Sequence, residues 1–261
     1  MAQILETINA TIKFGGLTAV NSVSITQEEG EILSLIGPNG AGKTTLFNLL
    51  TGVYRPTEGN IKFYGEEITG LKPHERVAKG ISRTFQNIRL FHEMTVLENL
   101  LIANPDCHRE GIWEAVLGGG KLRRKRQQVV EECEDILRAI GLLDKQEELA
   151  TNLPYGKQRL LEIGRALATN PKLVLLDEPG AGMNSVEKEE LSRLIHYITD
   201  DMKKNVLLIE HDMKFVMGIS DRIVVLDHGE KIAEGKPEEI QSNPLVIEAY
   251  LGKGIPEDED D

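Results

Sequence analysis

The sequence predicts an α/β fold in which a mostly parallel sheet is preceded by antiparallel strands and accompanied by a helical subdomain. Short apolar segments alternate with segments of helical periodicity along most of the chain, which is typical of parallel strands joined by crossover helices. Several of the apolar segments end directly in polar residues, as strands do at the crevice of such sheets. Residues 4–25 instead alternate between apolar and polar side chains, which indicates antiparallel strands.

The antiparallel strands are predicted on either side of a double glycine. Apolar side chains alternate from Ile4 to Phe14, the turn follows at Gly15-Gly16, and a second strand covers Val20 to Ile25. Phe14 has two interpretations: its ring could stack on an adenine, or it could be an ordinary core aromatic. Spacing alone favours the core.

A glycine-rich loop joins the next strand, Glu31 to Ile36, to a helix from Thr45 to Leu50. The loop fits the pattern G-x-x-x-x-G-K-[ST] and consists of Gly37, Pro38, Asn39, Gly40, Ala41, Gly42, Lys43 and Thr44. Its glycines let backbone N–H groups converge on an anion, Lys43 adds a cation for the β- and γ-phosphates, and Thr44 can ligate magnesium. The helix start at Thr45 adds partial positive charge. This segment is therefore predicted to be a phosphate-binding loop (P-loop) for a nucleoside triphosphate.

Two further strands are predicted to present polar residues at a sheet edge. The segment 173–179 is predicted as a buried parallel strand with Asp177 and Glu178 at its end, and His211 follows a similar strand at 205–209. Asp177 could bind magnesium through its water shell, Glu178 could polarise an attacking water, and His211 could contact a γ-phosphate. The alternative is a pair of exposed acids that cap a helix, and the presence of the P-loop favours the first interpretation.

The remaining elements are predicted from periodicity and capping signals. A strand over 80–86 ends in Gln86, and Thr95 with Glu98 forms a capping box for a helix over 96–102. A turn over 153–158 opens a helix over 159–168. The other predicted elements are a strand at 59–65, a helix at 73–79, a helix from about 122 to 140, a helix at 186–199, and a hairpin of 222–226 with 231–234.

Composition limits the function further. The chain has 261 residues, 40% of them hydrophobic and 28% charged, and a formal net charge of −12. This acidic balance argues against general nucleic-acid binding, which usually needs a basic surface. The two cysteines, Cys107 and Cys133, form no motif, which favours a reducing compartment. No apolar run is long enough to span a bilayer.

Taken together, these motifs resemble an ATP-binding-cassette (ABC) ATPase. The features that carry the resemblance occur in family order over nearly the whole chain: Phe14, the P-loop, Gln86, the turn at 153–158, Asp177 with Glu178, the segment 181–184, and His211. The resemblance implies a P-loop nucleoside-triphosphatase core at 1–87 and 158–252 and a helical subdomain at 88–157. The acidic tail at 253–261 is expected to be disordered.

The resemblance also implies roles for these residues. Glu178, His211 and Gln86 would be catalytic, and Mg²⁺ would be held by Thr44, Gln86 and Asp177. Two cassettes would pair head to tail, so that Pro154 and Gly156 of one signature turn, at 153–158, complete the ATP site of the other. Here Pro154, Tyr155 and Lys157 replace the Ser, first Gly and Gln of the usual Leu-Ser-Gly-Gly-Gln, and Asn184 replaces an aspartate.

Within the family, several stretches resemble the ATP-binding subunit of branched-chain amino-acid importers. They are residues 83–86, 94–100, 209–213, 217–222 and 249–252. This resemblance implies membrane permease subunits and a second cassette as partners, a solute-binding protein as an indirect partner, and a place on the inner face of the cell membrane. The transported substrate follows from the resemblance alone.

Three alternatives remain open at this point. A soluble ABC ATPase typically has twin cassettes or a long coiled-coil insertion, whereas this chain has one cassette and a short lobe. A P-loop GTPase would need an Asn-Lys-x-Asp motif, which the sequence lacks. An exporter of lipid or lipopolysaccharide components is disfavoured only by the subclass stretches.

Overall fold

A computed structural model describes residues 2–107 and 119–251. The chain forms two compact units: the first contains Met1–Pro73 and the chain from Leu207 onward, and the second contains His74–Val206. The strands are β1 Gln3–Phe14, β2 Leu17–Glu28, β3 Ile32–Ile36, β4 Glu58–Phe63, β5 Glu66–Glu67, β6 Ile81–Arg83, β7 Leu173–Asp177, β8 Asn205–Ile209, β9 Arg222–Asp227 and β10 Glu230–Gly235. The helices of the described residues are α1 Lys43–Leu50, α2 Pro73–Lys79, α3 Val96–Leu101, α4 Gly119–Ala139, α5 Tyr155–Ala168, α6 Ser185–Asp200, α7 Met213–Ile219, α8 Pro237–Gln241 and α9 Pro244–Leu251.

The first unit contains the antiparallel strands and the strand before the P-loop. Strands β2, β1, β4 and β5 are adjacent in that order and antiparallel. Strand β3 pairs parallel with β9, which pairs antiparallel with β10. The end of β3 and the three C-terminal helices share a buried apolar cluster of Ile36, Val216, Ile223, Val225, Ile240 and Val246. This cluster anchors the strand end from which the P-loop begins.

The second unit combines a parallel strand pair with a group of helices. Strands β6 and β7 are parallel, with Ser82 opposite Val174. Helices α3, α4 and α5 pack on one another, and a Cβ at Gly164 of α5 would lie 2.8 Å from Cδ1 of Ile140. Because that separation is too short for a side chain, the glycine sets how closely the helices approach. Thr95 and Glu98 form the predicted capping box at the start of α3.

Three of the differences from the sequence prediction concern the candidate site. Strand β6 ends at Arg83. The Thr84 N–H still donates to the Leu175 carbonyl at 2.9 Å, but after Thr84 the side chains of α5 make the hydrogen bonds to the backbone. Helix α5 begins at Tyr155, so the predicted turn is already its first helical turn. Helix α7 was not predicted; the Asp212 carboxylate caps it by accepting from the Phe215 N–H at 3.1 Å.

The predicted subdomain limits at 88 and 157 stay a prediction. The acidic tail at 253–261 lies outside the described residues. No helix within residues 2–107 and 119–251 is both long and apolar enough to cross a membrane.

Candidate functional site: a phosphate loop and a carboxylate cluster

The P-loop has a backbone that only glycines can adopt without strain. Gly37, Gly40 and Gly42 have φ angles of 149°, 81° and 96°, in the region that side chains disfavour. Space is also short: a Cβ would lie 2.1 Å from the Leu226 carbonyl oxygen at Gly37 and 2.6 Å from the Ala19 carbonyl oxygen at Gly42. The loop is therefore held tightly against neighbouring backbone of the first unit.

Lys43 is the first residue of α1 and is nearly buried. Its ammonium group donates to the carbonyl oxygens of Gly37 at 2.6 Å and Pro38 at 2.8 Å. The cation thus lies inside the curve of the loop, where it would face a bound anion. Thr44, the next residue, is exposed at the helix start, and Thr45 follows it half-buried. Both lie where the helix N-terminus favours negative charge.

Phe14 lies at the end of β1 and is not a core residue. Its side chain is 45% exposed and meets the Tyr54 ring edge-on, with the ring centroids 5.2 Å apart. The core interpretation that spacing favoured is therefore wrong. An exposed ring held by a second aromatic residue suits stacking on a flat ligand.

His211 follows β8, and both of its neighbours in the sequence restrain its backbone. Its backbone N–H donates to the buried Glu210 carboxylate at 3.2 Å, and its Nδ1 lies 3.8 Å from the same carboxylate. On the other side Asp212 caps α7. The imidazole itself is exposed, so the backbone is fixed while the ring faces outward.

Asp177 is buried at the C-terminal edge of β7, as predicted, but the strand ends at this residue and not at 179. Its carboxylate accepts from Nη2 of Arg83 at 2.7 Å, and its backbone N–H donates to the Thr84 hydroxyl at 3.2 Å. Sequence reasoning missed this partner. The signal was present, because Arg83 ends a strand that runs parallel to β7 and so brings its side chain to the same sheet edge.

Glu178 adopts a left-handed backbone conformation, with φ of 48°. Such a conformation is uncommon for a residue other than glycine and tends to occur at functional sites. Its carboxylate accepts from Nε2 of Gln86 at 3.0 Å. The structure therefore joins two residues predicted to be catalytic that lie far apart in the sequence.

The signature turn is supported by the start of α6. A Cβ at Gly156 would lie 2.2 Å from the Glu187 carboxylate, and one at Gly182 would lie 3.0 Å from the Tyr155 ring. Pro154 is the N-cap residue of α5 and is exposed. Asn184 caps α6 by accepting from the N–H groups of residues 186 and 187. The substitutions that depart from the usual signature are thus accommodated in an ordered turn.

Comparison of the sequence with models of known protein families identifies the class of this protein. A family model described as "ABC transporter" matches residues 20–181, and the chain belongs to this family. A second model, described as "Branched-chain amino acid ATP-binding cassette transporter", matches residues 230–255, which include β10, α8 and α9. The resemblance inferred from the sequence is confirmed at both levels.

Individual relatives agree over nearly the full length. The "High-affinity branched-chain amino acid transport ATP-binding protein LivG" of Salmonella typhimurium is 48% identical over 254 residues, covering 97% of this chain and 100% of that protein. The crystal structure of the ADP conformation of MJ1267, an ATP-binding cassette of an ABC transporter, matches with a TM-score of 0.84 and 36% identity over 97% of this chain and 100% of that one. The dimeric structure of MJ0796, a bacterial ABC transporter cassette, matches with a TM-score of 0.73 and 26% identity over 90% and 99%. These matches confirm the predicted α/β fold class.

Proposed function

We propose that this protein is the ATP-hydrolysing subunit of an importer that takes up branched-chain amino acids and works on the inner face of the cytoplasmic membrane. The observation that carries the proposal is the 48% identity to LivG over nearly both full lengths. The model matched at residues 230–255 supports the same subclass.

Nucleotide binding is assigned to the P-loop and Phe14. The loop residues 37–45 would hold the phosphates, and the Phe14 ring would stack on the base. Among the described residues no group of three or more His, Cys, Asp or Glu side chains could hold a metal ion. Mg²⁺ takes oxygen ligands and usually keeps several waters beside substrate phosphates. The Thr44 hydroxyl, the Gln86 side-chain oxygen and the Asp177 carboxylate, the last through the ion's water shell, would supply the protein's share. The ion would neutralise phosphate charge.

Hydrolysis is assigned to Glu178, Gln86 and His211. The Glu178 carboxylate would accept the proton of the attacking water, and the Gln86 amide, which donates to that carboxylate, would orient it. His211 would contact the γ-phosphate through its exposed ring. The Arg83 guanidinium pairs with the Asp177 carboxylate at 2.7 Å, which fixes the position of that oxygen.

A second cassette and a membrane permease would be the partners. The exposed Pro154 and the glycine at 156 would face the nucleotide of a partner cassette, as the head-to-tail arrangement requires. Pro154 lacks the serine hydroxyl of the usual signature, which removes one contact to the partner's nucleotide. The second cassette would be another copy or a sister ATPase. The dimeric MJ0796 structure supports pairing as a property of such cassettes.

A groove in the second unit suits a permease helix. Its volume is about 410 Å³, and it is lined by Ser82, Arg83, Phe85, Arg89, Leu90, Phe91, Ala103, Glu162, Arg165, Ala166 and Thr169. The aromatic walls are covered by cations: the Arg89 guanidinium lies 4.3 Å from the Phe85 ring centre, and the Arg165 guanidinium lies 4.8 Å from that of Phe91. Apolar walls with a basic rim would fit a short amphipathic helix that carries acidic residues.

Reversing the charge of Arg89 is expected to weaken permease binding by at least about tenfold, because an acid at this position would repel an acidic helix and lose the stacking on Phe85. Co-purification of Arg89→Glu with the permease from detergent-solubilised membranes measures this. Arg124→Glu, an equal reversal at an exposed position of α4, is the matched control and should bind normally. Equal recovery of permease by both variants would rule out this groove as the docking surface.

Deleting the gene is expected to abolish high-affinity uptake of labelled leucine, isoleucine and valine. The gene restored on a plasmid should return uptake, and the same gene carrying Glu178→Gln should not. Uptake of an unrelated amino acid serves as the control. Normal leucine uptake together with loss of another nutrient would retain the ATPase assignment and discard the substrate.

A further inference from the structure

Arg159 is one of the largest fully buried side chains of the described residues, with 1% exposure, and it lies in the first turns of α5. Its Nη1 donates to the Phe85 carbonyl at 2.7 Å, and its Nη2 donates to the Gln86 carbonyl at 2.6 Å. The two Nη groups of the planar guanidinium serve one carbonyl each in a fixed fork, whereas a lysine ammonium brings all its donors to a single nitrogen. Arg159 therefore holds two successive peptide groups, the one before and the one after the Gln86 Cα.

Glu162, one helical turn after Arg159, accepts hydrogen bonds from backbone N–H groups of the same segment. Its carboxylate accepts from Nη1 of Arg159 at 3.1 Å and from the backbone N–H groups of Phe85 at 3.4 Å and Arg89 at 3.3 Å. Burial raises the pKa of this carboxyl, and Arg159 and the two N–H groups oppose that rise. The pair thus replaces the strand partners that the chain loses when β6 ends at Arg83.

The contacts of Arg159 extend toward the signature turn. Its Nη2 lies 3.4 Å from the Tyr155 hydroxyl, and its guanidinium lies 5.9 Å from the centre of the Tyr155 ring. Tyr155 in turn packs against Gly182. One buried side chain therefore contacts the signature turn on one side and the Gln86 backbone on the other.

We propose that Arg159 is a positioning residue that couples the signature turn to Gln86, so that a displacement of the turn moves the Gln86 amide relative to Glu178. Three contacts carry this inference: Arg159 donates to the carbonyls of Phe85 and Gln86, and the Gln86 side chain donates to Glu178 at 3.0 Å. The inference rests on the proposed ATPase function, because Gln86 and Glu178 have a task only if the chain hydrolyses ATP.

The test is a double-mutant cycle of Arg159→Lys with Gln86→Ala on the full-length chain, measured as kcat and KM for ATP. In the native background Arg159→Lys should lower kcat about tenfold and leave KM within about twofold, because the P-loop is untouched. In the Gln86→Ala background the same change should alter kcat less than about twofold, since no Gln86 amide remains to be displaced. An equal fall in both backgrounds, or no fall in either, would overturn the proposal.

Amide hydrogen exchange gives a readout that needs no turnover. Arg159→Lys should speed exchange at residues 85–89 by about tenfold, while Thr84, whose N–H donates to Leu175, exchanges as before. Arg138→Lys, in the exposed pair with Asp135, is the matched control and should change neither exchange nor kcat. Unchanged exchange at 85–89 in Arg159→Lys would contradict the positioning role.

A further variant covers the case in which Arg159→Lys does not fold. Arg159→Gln with Glu162→Gln removes both buried charges together, so that neither is left unpaired. It should fold, exchange faster at 85–89 and lose kcat; if it folds with native exchange and native kcat, Arg159 has no positioning role. If the unmodified chain hydrolyses no ATP, the proposed function fails, and the exchange data still decide whether Arg159 holds the segment.

Discussion

Replacing Glu178 with glutamine is expected to lower ATP hydrolysis by about 10²- to 10⁴-fold while ATP binding persists. Glutamine keeps the shape of the side chain and can still hydrogen-bond a water, but it cannot accept the proton that the water must lose. Single-turnover hydrolysis measures the loss. In the proposed head-to-tail mechanism product formation separates the two cassettes, so the variant should run as a dimer on a sizing column with Mg-ATP and as a monomer with Mg-ADP.

The matched control is Glu189→Gln, which removes one acid from an exposed position of α6 and should hydrolyse ATP normally. Because Pro154 lacks the serine hydroxyl of the usual signature, a sister ATPase is tested alongside self-pairing. Hydrolysis at the native rate would show that Glu178 is not the base. Loss of hydrolysis without a dimer of either kind would exclude the head-to-tail mechanism for this protein.

Replacing Lys43 with alanine is expected to weaken ATP binding by roughly 10- to 100-fold, which corresponds to a charged hydrogen bond of about 1.5–3 kcal/mol. The Lys43 ammonium is placed inside the curve of the loop by the carbonyls of Gly37 and Pro38, and alanine supplies neither the charge nor the donors. Titration calorimetry with ATP and Mg²⁺ measures the change.

Lys62→Ala removes a cation from the same unit, where it pairs with Glu6 at the surface at 3.4 Å, and should bind ATP as the native chain does. A thermal melt of both variants separates lost binding from lost folding. Unchanged ATP affinity in a folded Lys43→Ala protein would refute the assignment of the P-loop.

The parts that could be predicted from the sequence are those set by local pattern. Strand β3, the glycine-rich loop and helix α1 follow from apolar alternation and a fixed spacing, and the structure reproduces them within two residues. Asp177 was correctly predicted at the C-terminal edge of its strand, because the apolar run before it stops at this residue. The capping box of α3 likewise depends only on residues three apart.

The parts that could not be predicted depend on contacts between distant segments. The strand at 80–86 stops at Arg83 because Arg159 and Glu162, in another element, take over the hydrogen bonds of the following backbone. Phe14 is exposed because it lies at the end of β1, where its ring contacts Tyr54. The alternation of apolar and polar side chains along the strand does not predict this. The left-handed φ of Glu178 could not be predicted, because a glutamate does not indicate such a conformation in the way that a glycine does.

The tight packing behind the P-loop limits how the sequence can drift during evolution. Gly229, in the turn between β9 and β10, donates to the Ala41 carbonyl at 3.1 Å, and a Cβ there would lie 2.8 Å from the Ala19 carbonyl oxygen. That oxygen is the same one that excludes a side chain at Gly42. The turn between β9 and β10 is therefore under the same steric constraint as the P-loop. Selection should remove substitutions at Gly229, although this residue takes no part in the chemistry.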